Sequence, residues 1–235
     1  MALEPEMILI VGYVVIGGLL ASLGAHLLPV GGAPAAMGTA TGVATGTVQL
    51  MFGAVMTGLF TSSTVSSFSN NIWLVAISGA VGAAIMITVV MFMANIMYVF
   101  GCGIVPVSGR VAVDPITKEP QTPYKTPQTD GHGVPNVVFI SGTMGGFVGG
   151  FGGGLMYFAL LFYANFTYVT AAIAALSIFL ANAILAAYNI RGTTEGLYDP
   201  KFKRLPKALV SSLAISVLAG IVVLLATIGL PQGGI

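Results

Sequence analysis

Six stretches of this chain, residues 7–28, 33–60, 72–100, 136–162, 168–188 and 207–230, hold no Asp, Glu, Lys or Arg apart from Lys207 at a boundary. Each reaches the ~20 apolar residues that a helix needs to cross the hydrocarbon core of a bilayer. Inside lipid every backbone N–H and C=O must be bonded within the protein, which leaves a helical segment as the natural form of such a stretch. With 56% hydrophobic and only 6% charged residues, the chain has too little polar surface to coat a water-facing domain. The expected fold is all-α: one membrane domain over residues 1–235, with six transmembrane helices. The opening MALEPEMILIVGYVV carries Glu4 and Glu6 and no base before its apolar run. That is the wrong charge for a signal peptide, so the first span is expected to stay in place.

The spans are joined by two polar segments, 101–135 and 189–206. The first holds Pro106, Pro115, Pro120, Pro123 and Pro127, with Pro135 at its end, and reads as a solvated loop or small lobe. All eight basic residues fall in these two segments or at their edge: Arg110, Lys118 and Lys125, then Arg191, Lys201, Lys203, Arg204 and Lys207. With six crossings both segments share one side, which the excess of Lys and Arg assigns to the cytoplasm. The termini and the short turns at 61–71 and 163–167 are then external.

Residues 140–154, ISGTMGGFVGGFGGG, offer two readings, a phosphate-cradling loop or a helix with glycines on one ridge. Gly142, Gly146, Gly150 and Gly154 recur every fourth residue, the spacing of a helix face that lets another backbone approach closely. A phosphate loop would need a following Lys and Ser or Thr, whereas Leu155 and Met156 come next. The helix is the expectation. Gly38, Gly42 and Gly46 in GTATGVATG repeat the device in the second span. Each ridge follows a His-x-x-Pro step, at His26–Pro29 and His132–Pro135. Each is followed by a span with an Ala-Asn pair, Ala94-Asn95 or Ala181-Asn182, and then by an Asp-Pro-x-x-Lys. This order suggests a two-helix unit used twice in parallel, spans two–three and four–five. Chance matching in a biased composition is the competing reading.

The acids, Glu4, Glu6, Asp114, Glu119, Asp130, Glu195 and Asp199, are terminal or in loops, so the spans offer no carboxylate proton relay. A sodium path asks for less, because hard cations take oxygen of any kind. The candidates are Asn95, Asn182, Gln49, Thr41 and Thr45 within the spans, with Glu195 and Asp199 as an attracting cytoplasmic mouth. The bland reading of Asn95 and Asn182 is hydrogen bonding between packed helices. His26 and His132 read as interfacial or loop histidines, and Cys102 as a packing residue. The one cysteine excludes an internal disulfide or a multi-cysteine metal site. Asp130-Gly-His132 partly matches a cobalamin-ligand motif, but Pro135 stands where its last glycine belongs. Asn165-Phe-Thr167 is a glycosylation acceptor in sequence. No catalytic or cofactor-binding residue is expected on this chain.

The segments LLPVGGAPAAMGTATGVATGT, NIMYVFGCGIVPVS, VDPITKEP and YNIRGTTEGLYDPKFKR together resemble the D subunits of tetrahydromethanopterin S-methyltransferase, the membrane complex of methanogenic archaea. The resemblance runs from the first span through the loop after the fifth. It implies a complex that moves a methyl group from methyl-tetrahydromethanopterin to coenzyme M, through a corrinoid carried on its A subunit, and couples this to sodium export. The C, D and E subunits would form the membrane core with the ion route, while methyl transfer belongs to the H and A subunits. The resemblance carries over no catalytic residue, so the sodium candidates rest on their chemistry and the repeat. Two other readings stay open, a stand-alone secondary transporter and a purely structural scaffold. A transporter should purify alone or as a homo-oligomer, without corrinoid.

Overall fold

A computed structural model describes residues 5–30, 45–128, 131–190 and 194–229. Six long helices account for most of them: α1 (Pro5–Leu27), α2 (Thr45–Ser66), α3 (Ile72–Ile96), α4 (Asn136–Phe162), α5 (Tyr168–Ile190) and α6 (Leu205–Gly229). Among the described residues, five are long and apolar enough to cross a membrane: α1, α3 with its extension to Gly101, α4, α5, and α6 with the turn before it. The chain is thus a multi-pass membrane protein in its helices. α2 carries polar residues along its second half: Thr57, Thr61, Ser62, Ser63, Thr64 and Ser66.

The same residues explain why α2 runs on to Ser66, through part of the turn expected at 61–71. Thr64 Oγ1 donates to Phe60 O at 2.9 Å and Ser66 Oγ to Ser63 O at 2.8 Å, each bonding back along its own helix. Thr61 Oγ1 reaches Ser78 O at 2.7 Å and Ser62 Oγ reaches Val75 O at 2.9 Å, both on α3. Hydroxyls that find carbonyls in this way sit inside a helix at little cost. α3 then starts at a side-chain cap, Asn71 Oδ1 accepting from the Trp73 N–H at 2.9 Å and the Leu74 N–H at 3.3 Å. It ends in a π turn at Met97–Gly101. The sequence expectation for the second span began at 33; residues 31–44, with Gly38, Thr41 and Gly42, lie outside the described residues. Thr45, Gly46 and Gln49 belong to the first turns of α2.

α4 is the axis of the bundle: 72% of its apolar segment is buried, against 28% for α6. It packs along α3 on one side and α1 on the other, with α2 and α5 closing around it. Its glycines are the reason it can. A Cβ on Gly150 would lie 2.5 Å from Gly79 O and one on Gly154 2.8 Å from Ala76 Cα, both on α3. On the opposite row, Cβ atoms on Gly145 and Gly152 would lie 2.7 Å from Gly24 O and 2.6 Å from Gly17 O on α1. Such distances are closer than any side chain tolerates, so the two neighbours rest on bare α4 backbone.

Apart from the short turns at 67–71 and 163–167, the irregular structure among the described residues lies at one end, where α1, α3 and α5 finish and α4 and α6 begin. β1 (Pro29–Val30) pairs antiparallel with β4 (Thr194–Glu195), and β2 (Val107–Ser108) with β3 (Gly131–His132). The segment between α3 and α4 is a small folded lobe. Asp114 Oδ1 accepts from the N–H groups of Ile116 and Thr117 at 2.8 and 2.9 Å, closing a turn. Val113 bridges Pro120 across it. Cys102 is exposed at the base of this lobe.

Candidate functional site

The two asparagines matched by the sequence repeat end in different settings. Asn95, half-buried near the end of α3, clasps one residue of the lobe. Its Nδ2 donates to Val134 O at 2.8 Å, and its Oδ1 accepts from Val134 N at 2.8 Å. Both ends of the amide are thus engaged, and Asn95 acts as a peptide-like strut that holds the chain entering α4. It lines a cavity of about 430 Å³ together with Asp114, Glu119, Tyr124 and Asn136. Burial pushes the Asp114 carboxyl up, but the N–H groups of Thr117 and Ile116 and the side chains of Asn136 and Thr117 outweigh it. The group is held below the usual carboxylate range.

Asn182 is wholly buried, eight residues before the end of α5. Its Nδ2 donates to Ile178 O at 2.9 Å, which turns Oδ1 toward α6. There it meets the hydroxyls of Ser212 and, at 3.2 Å, Ser216. Ser212 Oγ also lies 3.0 Å from Gly18 O of α1. Three helices are thus joined by uncharged oxygens. A chain of polar groups leads from this point toward the lobe end along one face of α1. His26 Nδ1 donates to Ser22 O at 2.8 Å, and Asn189 Nδ2 donates both to His26 Nε2 at 2.9 Å and to Arg204 O at 3.1 Å. His26, expected at an interface, is only 2% exposed.

Glu195 and Asp199, expected as a mouth, are buried at 6% and 3% exposure between the two polar segments. Glu195 accepts from Ser108 Oγ and, at 2.7 Å, from the Gly109 N–H. Ser108 Oγ in turn accepts from the N–H groups of Arg110 and Val111, each at 3.0 Å. Arg110 Nη2 lies 3.7 Å from Asp199 Oδ2. Burial raises the Glu195 carboxyl above its ordinary value, and Asp199 adds to this; the Ser108 and Gly109 bonds and the Arg110 charge oppose it without cancelling it. The next residue, Gly196, has φ +63°, and a Cβ there would strike Ser141 Oγ and lie 2.6 Å from Leu27 O. Only glycine seats this turn against the start of α4. Ser141 Oγ completes the joint, donating to Leu27 O at 2.8 Å and accepting from Leu197 N at 3.2 Å.

The structure therefore brings together Glu195 and Asp199, and separately Asn182 with α1 and α6, but it does not bring Asn95 to either group. Thr41 lies outside the described residues. Sequence reasoning missed Ser22, Ser212, Ser216, Ser108 and Asn189. The signal for two of them was visible: Ser212 and Ser216 stand one helical turn apart in a span whose other polar residues are Lys207, Ser211 and Thr227. Among the described residues, no three His, Cys, Asp or Glu side chains gather as a metal group.

This arrangement of uncharged mid-helix oxygens beneath a compact lobe sits in a chain with extensive relatives. The family model for the D subunit of tetrahydromethanopterin S-methyltransferase matches residues 7–216. The chain is 49% identical over 220 residues to the D subunit from Methanothermobacter marburgensis, covering 91% of this chain and 94% of the relative. It is 47% identical to the D subunit from Methanosarcina mazei over 91% and 92% of the two chains. For the Methanopyrus kandleri protein the identity is 46% over 92% and 96%. A match that takes in the spans, the lobe and the Glu195 joint together shows the descent: the chain belongs to the family of tetrahydromethanopterin S-methyltransferase D subunits.

Proposed function

We propose that this chain is a membrane subunit of a complex that carries a methyl group from methyl-tetrahydromethanopterin to coenzyme M and exports sodium, and that it contributes to the ion-translocating core. Methyl transfer is left to other subunits, with the corrinoid on the A subunit, and the C and E subunits are its neighbours in the membrane. Family membership supports the complex. The observation that carries the ion role is the Asn182 cluster, where the polar groups deep in the bundle are uncharged oxygens. Hard monovalent cations are bound by such oxygens at the midplane of transport proteins.

In this reading α2 is the sixth crossing. Its 22 residues rise about 33 Å at ~1.5 Å each, enough for a ~30 Å core. The hydroxyls of Thr57, Thr61, Ser62, Thr64 and Ser66 are bonded to carbonyls rather than left bare to lipid. The lobe and the 189–206 segment face the cytoplasm with the basic residues, and the termini and Asn165 face outward. The two-helix repeat relates α2–α3 to α4–α5; Gly38 and Gly42 of its first copy lie outside the described residues. Gln49, Thr41 and Thr45 are the further oxygen candidates for the path, with Thr41 outside the described residues.

The test is depletion of this chain from a methanogen, followed by assay of inverted vesicles. Methyl-transfer-driven sodium uptake is expected to disappear. Uptake that persists without the chain would assign the ion route to other subunits and leave this one a scaffold.

A further inference from the structure

The Asn182 cluster has more acceptor oxygen than its protons can serve. A hydroxyl donates one hydrogen and a carbonyl donates none. Gly18 O, Asn182 Oδ1, Ser212 Oγ and Ser216 Oγ make three oxygen–oxygen contacts, two of them at 3.0 and 3.2 Å, and share two hydrogens. One contact is therefore always without a proton between its oxygens. Flipping the Asn182 amide does not relieve this, because Nδ2 is held by Ile178 O at 2.9 Å. One turn along α1 from Gly18, Ser22 Oγ is wholly buried and has no hydrogen-bond partner. Gly18 makes the convergence possible: a Cβ there would run into Ser216 Oγ and lie 2.8 Å from Asn182 Nδ2.

We infer that Gly18 O, Asn182 Oδ1, Ser212 Oγ and Ser216 Oγ, with Ser22 Oγ beside them, form a binding site for a dehydrated monovalent cation, sodium in this complex. The inference rests on the ion-carrying role proposed above and places it at named atoms. A cation supplies the positive charge that the proton-poor contact lacks. The two serine hydrogens can turn back to carbonyls one helical turn earlier, as helical serines do, leaving their lone pairs to the ion. A wholly uncharged donor set suits a single positive charge; a divalent ion would call for carboxylates. Gly18 lies nine residues before the end of α1 and Asn182 eight before the end of α5, about 12–14 Å into a core ~30 Å thick. This is the midplane. The line Ser22, His26, Asn189 and Arg204 O connects it to the lobe end.

The experiment uses the assembled complex in sealed inverted vesicles, with sodium varied and methyl-transfer-driven uptake measured. Ser212→Ala and Ser216→Ala are expected to raise the sodium concentration for half-maximal uptake at least tenfold, with the maximal rate recovered at saturating sodium. Ser177→Ala, an exposed serine on α5 bonded only to Ile173 O, should leave it unchanged. Should an alanine variant fail to assemble, Ser216→Cys keeps the shape and exchanges hard oxygen for soft sulfur, so inhibition by thallium(I) should strengthen relative to wild type. Assembled variants with unchanged half-saturation, or a cysteine variant with unchanged thallium sensitivity, would overturn the site. If depletion of the chain nevertheless abolishes uptake, only the site falls; if uptake survives depletion, the ion-carrying role falls with it.

Discussion

Glu195 is held by contrary forces, and their balance is measurable. Its carboxyl sits among donors that favour the charge, yet burial lifts it above its ordinary value. By linkage, a group whose folded pKa is raised contributes stability that is fully present below the unfolded value and is lost as pH rises through the folded one. The joint between the lobe and the 189–206 segment should therefore loosen as pH climbs through that interval. Hydrogen exchange at Gly109, corrected for the intrinsic rate, should report it, and Glu195→Gln should flatten the profile. A variant with the wild-type slope would show that some other group titrates the joint. Ser108→Ala should be harsher, because it strips a partner from the Glu195 carboxylate and from two backbone N–H groups at once. Each buried group left unpaired costs about 1–3 kcal/mol, so protease resistance of the lobe should collapse.

Among the elements, α4 tests how the bundle holds together. Gly150→Ala would drive a methyl to 2.5 Å from both Ala83 Cβ and Gly79 O, forcing α3 and α4 apart at a cost of about 1–3 kcal/mol. Gly12→Ala meets nothing within 4 Å and should gain up to ~1 kcal/mol of helix propensity. Steric-trap unfolding in bicelles would separate the two; equal stabilities would mean that close backbone contact contributes nothing here. This contrast was legible in the spacing alone, since every fourth residue from Gly142 to Gly154 is a glycine while Gly12 belongs to no such series. The end of α2 was not legible. Thr61, Ser62 and Thr64 read as a turn because their polarity was counted without the carbonyls that absorb it. Those carbonyls lie on α2 itself and on α3, and only tertiary packing supplies the ones on α3. Asn95 and Asn182 share a sequence setting for the same reason that they mislead. An amide can bond a loop backbone or knit three helices, and its neighbours in sequence do not say which. Ser212 and Ser216 carried a readable spacing, but their meaning came from Gly18 and Asn182, far away in the chain.

For the whole molecule, the side on which the lobe lies decides the direction of transport. Lys118 and Lys125 are on the lobe, Lys118 exposed and Lys125 partly so, and the topology proposed above puts them in the cytoplasm. Amine labelling with a membrane-impermeant reagent should reach them in inverted vesicles and spare them in intact cells. Labelling in intact cells would reverse the proposed topology. The joint around Ser141 bears on how motion could enter from this side. It ties the end of α1 through Leu27, the start of α4 through Ser141 itself, and the segment after α5 through Leu197. Asn189 ties the end of α5 to His26 of α1 beside this joint, and three rods linked at one end cannot bend one at a time. A push delivered to the loops at this end by a docking partner would be felt as a tilt of the trio, and the oxygens of Gly18 and Asn182, partway along α1 and α5, would part from or close on the serines of α6 like the jaws of a clamp.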